Sequence, residues 1–226
     1  MTPTEALAQL TARADPEKAT QAAAYHKAAR PYLGIAVPDI TALATLWRET
    51  TDTAQRVALA DALWQTNIHE ARIAAARLLT QARIADDGAV WSLIASWVPS
   101  FDGWAIADHA CAAGQRRLTA DPSRLDEVET WTISSNLWTR RAALVITLPW
   151  TRQNHPKPAD LIIRDRVLDW AATYVEDRDW FLQKAVAWWL RDLSRHDPQR
   201  TRQFLAEHGP YMKPWASKEA AKYLAP

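Results

Sequence analysis

The feature that most constrains this chain is an apolar period of three to four residues, running nearly end to end and broken at short intervals by proline. That period lays one apolar stripe along a helix, whereas a half-buried strand needs strict alternation, and few stretches here alternate. Glycine is scarce, at 5 in 226 residues, which also disfavours a turn-rich β fold. The pattern predicts about thirteen helices of roughly 9–17 residues. PTEALAQLTARA opens the series with Thr4 as its cap, and EKATQAAAYHKAA runs on until Pro31. The next helix begins just after Pro38. TAQRVALADALWQT and HEARIAAARLLTQARI follow, joined across Asn67, and Asp86 or Asp87 caps GAVWSLIASWV. FDGWAIADHACAAG closes at Gly114 and gives way to a polar connector, QRRLTADPSR. A later helix, NLWTRRAALVITLP, takes its cap from Ser134, Ser135 or Asn136.

Short connectors force neighbouring helices to be antiparallel. The pairs recur about every 35–45 residues, the spacing of HEAT-like repeats, in which each pair buries its stripe only against the next. The expected fold is therefore all-α: an α-solenoid of HEAT-like antiparallel pairs with a concave face, in a single domain spanning 1–226. A compact irregular helical bundle is the alternative. The loop at 150–158 is the only candidate boundary.

Several classes are disfavoured early. No run reaches the roughly 18 apolar residues of a membrane span. The N-terminal MTPTEALAQLTARADPEK lacks a basic start followed by an apolar stretch, so no secretory signal is read and a cytoplasmic location is expected. Cys111 is the only cysteine, which leaves no internal disulfide and no cysteine-based zinc site. The six histidines show no metal-ligand spacing, and no phosphate-cradling or nucleophile-elbow motif is present. Net charge is +1 but unevenly placed. Residues 1–136 carry 12 basic and 16 acidic residues, and residues 137–226 carry 15 and 10, so the C-terminal part is the basic one. Arginine supplies 20 of the 27 basic residues. Its planar fork suits phosphate, although Arg-rich chains are also common in high-GC genomes.

Three segments carry candidate chemistry. In DGWAIADHACA, Trp104 and Asp108 lie four apart, one turn along a single helix face. A buried carboxylate must find a base, face solvent or perform a task; Arg140 or Arg141 is the base available to it, and a structural ion pair between repeats is the plain alternative. His109 points to another face and is read as capping or packing. In DRDWFLQKAVAWWLRDLSRH, Trp188 and Trp189 point about 100° apart, so one enters the core and the other faces outward. Lys184 and Arg191 flank Trp188, as on a surface that stacks bases and binds phosphates, or as a solvated edge beside a core tryptophan. In AAYHKAARPYLGI, Tyr25, Lys27 and Arg30 share a short helix and its end.

Taken together and in order, these segments resemble the AlkD-like family of DNA alkylation repair proteins. AAYHKAARPYLGI is similar to the family's Tyr-x-Lys segment and aromatic-Leu-Gly-Ile turn. DGWAIADHACA is similar to its Trp-x-x-x-Asp helix, and NLWTRRAALV with DRDWFLQKAVAWWLRDLSRHDP to its Trp-x-x-Arg and Phe-x-Gln-Lys-Ala-x-x-Trp-x-Leu-Arg helices. The resemblance implies a monomeric solenoid cradling double-stranded DNA on its concave face and hydrolysing the N-glycosidic bond of cationic N3- or N7-alkylated purines. By matching position it implies Asp108 as the catalytic carboxylate, with Trp104, Trp188 and Tyr25 as aromatic walls at the lesion. Arg141 would be a backbone contact, and Lys27, Lys184 and Arg191 lesser phosphate contacts. Neither metal nor organic cofactor is implied, because a cationic purine is already a good leaving group. In the acidic half, Arg30, Arg72, Arg77 and Arg83 are the cations available to a phosphate backbone. A non-catalytic helical-repeat protein that binds DNA structure, and a scaffold holding a peptide in a Trp-rich groove, are the competing readings.

Overall fold

The computed structural model describes residues 1–224, and among them there are thirteen α-helices and no strand. Six of the helices carry proline in the first turn, where its missing N–H has no helical partner to lose. The prolines that punctuate the sequence thus largely begin helices, which is how a proline-dense chain stays helical.

The chain divides into two compact units, Met1–Ala120 and the remainder from Asp121 onward. The first holds α1 (Pro3–Thr11), α2 (Pro16–His26), α3 (Val37–Glu49), α4 (Thr53–Gln65), α5 (His69–Leu78), α6 (Gly88–Trp97) and α7 (Trp104–Ala120). Its spine is α5, which packs against α3, α4 and α7. Ala71, Ala74, Ala75 and Ala76 are all fully buried, and side chains this small let three helices approach one axis. Trp47, Trp64 and Trp97 fill the space around them, with Trp64 and Trp97 stacked at 4.1 Å between ring centroids.

The second unit holds α8 (Leu125–Trp131), α9 (Leu137–Ile146), α10 (Pro158–Thr173), α11 (Trp180–Ser194), α12 (Pro198–His208) and α13 (Pro214–Ala220). Here α11 is central and packs on α9, α12 and α13. Trp189 is the core member of its adjacent pair: it is fully buried and donates its indole N–H to Thr147 Oγ1 at 3.2 Å. The architecture is an array of antiparallel helical repeats, as the periodicity predicts.

Four expected boundaries are corrected. The first helix is capped by Thr2, not Thr4. Its hydroxyl accepts from the Glu5 N–H at 3.2 Å while Glu5 accepts from the Thr2 N–H at 2.8 Å, a capping box. The second helix ends at His26, because Lys27 adopts a left-handed conformation with φ of 59°. The most instructive change is α7, which does not stop at Gly114 but runs on through the QRRLTA segment to Ala120.

Arg117 accounts for that extension. Its guanidinium is fully buried, pairs with Asp87 at 2.9 Å, and donates to the carbonyls of Ala82 (3.1 Å) and Gln81. The same contacts hold 81–82 as loop, so α5 ends at Leu78 rather than reaching Ile84. The second unit has an equivalent in Arg164. Its Nε donates to Trp150 O at 2.8 Å, Nη2 to Gln153 O at 2.8 Å, and Nη1 to Asp197 at 3.2 Å. Replacing a buried pair member leaves the partner uncompensated, so Arg164→Met is expected to cost about 3–5 kcal/mol, read as a lower midpoint in urea unfolding. A midpoint shift under 1 kcal/mol would show that the loop does not depend on it.

Candidate functional site

In the first unit, α5 builds the site from beneath. Its leading residues His69 and Glu70 are both buried, although the sequence reads them as an ordinary polar start. Glu70 accepts from the Leu33 and Gly34 N–H groups, each at 2.8 Å, and the His69 N–H donates to Pro31 O at 3.0 Å. The Asp15 N–H donates to Leu33 O at 2.8 Å and closes the other side. Gly34 sits at φ of 76°, where a Cβ would lie 2.3 Å from Asp15 O. Only glycine fits that crossing. The RPYLG segment is therefore a strapped loop rather than a loose connector.

This strap fixes an aromatic cluster. Trp104, in the first turn of α7, meets Tyr25 edge-on at 6.2 Å and His26 at 5.5 Å. His26 stacks on His69 at 4.6 Å, and His69 on Tyr32 at 4.8 Å. Tyr25 is 70% exposed, an unusual setting for so large a ring. Asp108 lies one turn beyond Trp104 and is half-buried. Beside the cluster, Tyr25, His26, His69, Lys18, Gln21 and the Gly34–Val37 backbone border a cleft of about 380 Å³. Sequence reading brought Trp104, Asp108 and Tyr25 forward but missed His26, Tyr32, His69 and Glu70. The only signal for the last two was a His-Glu pair opening an alanine-rich helix.

Burial governs the imidazoles. His69 is pushed down to about 3, first by burial and then by its basic neighbours His26, Arg30 and His109, and His109 to about 4, mainly by burial. His26 is also lowered, mainly by burial. All three rings are uncharged at neutral pH, so the aromatic wall carries no imidazolium. His109 is a packing residue inside α7, not a cap.

The basic residues of the first unit are only partly free for a partner. Arg30, with a side chain 1% exposed, is ion-paired to Asp102. Arg72 lies 4.7 Å from the centre of the Trp64 ring and donates to Trp64 O at 3.1 Å. Arg77 is half-buried, whereas Arg83 and Lys27 are exposed. Lys27 stands at the left-handed end of α2 rather than on its helical face.

In the second unit, α11 carries Trp188, Lys184 and Arg191. The Trp188 indole donates to Asp192 Oδ2 at 3.2 Å, which fixes the ring. Asp192 also pairs with Arg152 at 2.8 Å and Arg191 at 3.2 Å, and Arg191 reaches Glu219 at 2.6 Å. Arg191 is thus held between two carboxylates, and the expectation of an open phosphate contact there meets a largely neutralised cation. Lys184 is exposed and lies 4.6 Å above the Trp180 ring. Arg141 is 3% exposed, with its guanidinium 5.9 Å from the centre of the Trp138 ring. Arg140, the other base considered for Asp108, pairs with Asp177 at 2.9 Å. Gln183 holds the turn before α11 by donating to the carbonyls of Tyr174, Val175 and Asp177. Among the described residues, no group of three His, Cys, Asp or Glu side chains is placed to hold a metal ion, and no helix is long and apolar enough to cross a membrane.

Comparison with known proteins adds a family and a fold. Residues 6–224 match the family model described as DNA alkylation repair enzyme. A solved structure described as a predicted DNA alkylation repair enzyme from Enterococcus faecalis superposes with a TM-score of 0.76 at 23% identity, covering 94% of this chain and 97% of that one. AlkD2 from Streptococcus mutans superposes with a TM-score of 0.63 at 20% identity, covering 85% and 92%. No curated protein matches the sequence.

The depressed imidazoles give stability a direction in pH. A group whose folded pKa lies below its unfolded value of 6.5 stabilises the fold fully above pH 6.5. Below that, the unfolded chain takes up protons that the folded chain refuses, and stability falls until the folded pKa is passed. Unfolding free energy from urea titrations is expected to drop by up to about 1.4 kcal/mol per pH unit for each such histidine between pH 6 and 4. His69→Gln should flatten that slope by roughly one proton's worth. An unchanged slope would mean that His69 titrates normally.

Proposed function

We propose a specific activity for this chain, which belongs to the DNA alkylation repair enzyme family: hydrolysis of the N-glycosidic bond of cationic N3- or N7-alkylated purines in duplex DNA. The observation that carries this reading is the α7 pair, a half-buried Asp108 one turn from a Trp104 indole that is itself braced by Tyr25 and His26.

The chemistry needs little more. A purine alkylated at N3 or N7 carries a positive charge, so it departs neutral, taking the electron pair of its bond to C1′ without protonation. Positive charge then grows on the deoxyribose. The Asp108 carboxylate stabilises that charge and orients a water whose oxygen bonds to C1′, accepting its proton for release to solvent. The indole face of Trp104 offers negative π density to the same cation, and Tyr25 extends the wall. The uncharged imidazoles of His26 and His69 add no repulsion. In the second unit, Trp188, whose ring Asp192 fixes, is the aromatic face that the family resemblance assigns to DNA. Arg141 is covered and set beside Trp138, so it is not an open phosphate fork. Lys184 and Lys27 are the exposed cations for backbone phosphates, with Arg191 subordinate because Asp192 and Glu219 already hold it. No cofactor enters the scheme, and a monomer suffices for it.

The test is release of methylated bases from duplex DNA treated with a methylating agent, wild type beside Asp108→Asn. Wild type is expected to release 3-methyladenine or 7-methylguanine, and the variant to lose at least about 100-fold in rate while still binding DNA. Neutral lesions should be poor substrates, since they need leaving-group activation. Equal release by both proteins would remove Asp108 from the mechanism. Salt-sensitive binding with no release by either would favour a non-catalytic DNA-binding repeat protein.

A further inference from the structure

The second unit exposes an aromatic surface that the reaction above does not use. Trp180 is 46% exposed and Trp215 36% exposed, and their rings lie 5.7 Å apart at a tilt of 33°. Tyr211, also exposed, is tied to the same end of α11 by a hydrogen bond from Arg178 to its carbonyl at 3.4 Å. Two tryptophans left in water against one another mark a contact surface, not a packing defect.

Its charge setting points to an anionic partner. Lys184 stands over the Trp180 face, and Arg178 is exposed on the preceding turn. Of the nearby carboxylates Glu176 is exposed, while Asp177 and Asp179 are occupied internally. Asp179 caps α11 by accepting from the Phe181 and Leu182 N–H groups, and Asp177 holds Arg140 and the Asp179 N–H. Exposed indoles interleaved with cations are how proteins hold unpaired nucleobases, because every base has a π face and a phosphate beside it.

The position is as informative as the composition. Trp180, Lys184 and Trp188 fall at intervals of four along α11, so they share one face over about 12 Å. That distance matches three to four nucleotides of a stacked strand at about 3.4 Å each. We propose that Trp180 and Trp215 form a stacking platform for an unpaired nucleobase of single-stranded DNA, with Lys184 on its phosphate, three to four nucleotides from the one at Trp188. The placement relative to Trp188 rests on the function proposed above; the platform itself does not.

The experiment is fluorescence anisotropy of a labelled 20-nucleotide oligo(dT) with the full chain, at several salt concentrations. Wild type is compared with Trp180→Ala/Trp215→Ala and with the conservative Trp180→Phe/Trp215→Phe. Circular dichroism checks that each variant is folded. Wild type is expected to bind, the alanine pair to weaken binding at least about tenfold, and the phenylalanine pair to recover most of it. No binding by wild type, or equal binding by the alanine pair, overturns the proposal. So does unchanged binding by the alanine pair with loss of a dimer in sedimentation, which would assign the surface to a second copy of the chain. Base release from methylated duplex is assayed in parallel. Oligo(dT) binding without release leaves the platform standing and defeats the glycosylase; release with no effect of the alanine pair on oligo(dT) does the reverse.

Discussion

Buried guanidinium groups that gather loop carbonyls are the constraint on which both units depend. Stacked helical repeats bury one another's apolar stripes, but the turns between helices leave carbonyls facing a core that offers no water. Arg117 answers this in the first unit and Arg164 in the second, each fully covered and each bonded to two loop carbonyls and an aspartate. Arginine alone has enough donors in a fixed fork to do so at one point. The aspartate balances the charge that burial would otherwise penalise. Helix ends, loop paths and the length of α7 follow from these anchors.

The candidate surfaces stand on supports of the same kind. Glu70 receives two backbone N–H groups of the loop at 33–34, which places His26, Tyr32 and His69 behind Trp104. Gln183 does the complementary work in the second unit, donating to three carbonyls of the turn before α11 and accepting from the Lys213 N–H at 3.0 Å. The units also share a sequence pattern. Trp104 precedes Asp108 by four residues, and Trp188 precedes Asp192 by four. In the second pair the indole hydrogen-bonds the carboxylate, which already carries two arginines. The second carboxylate fixes its own ring, whereas Trp104 is braced instead by Tyr25 and His26, with Asp108 half-buried one turn on.

This division explains what the sequence could and could not convey. Helix number, order and most boundaries follow from periodicity, proline and caps, because those are local properties of the chain. Gly114 misled for a physical reason: glycine after a helical stretch usually marks its end, but here it lies buried in the middle of α7, and Arg117 one turn later holds the helix on course. Lys27 misled in the opposite sense, since a lysine gives no warning of a left-handed helix end. Trp104, Asp108 and Tyr25 were visible as types and spacings. The cluster behind them was not, because His69 and Glu70 become site residues only when α5 is driven into the core by its alanines.

Charge is where composition and structure diverge most. The surplus of basic residues from 137 onward reads as a phosphate-binding face, yet much of it is committed within the fold. Arg164 and Arg200 share Asp197, Arg166 pairs with Asp126 and Glu129, and Arg191 with Asp192 and Glu219. What remains open at the N-terminal end of α11 is a lysine laid over an exposed indole. With many arginines committed to carboxylates and carbonyls of the fold, the proposed recognition rests on aromatic faces placed among a few exposed cations. That arrangement suits a cationic base or an unstacked one better than a long, regular array of phosphates, because stacking and cation–π attraction act at single rings whereas phosphate binding gains with each open charge added.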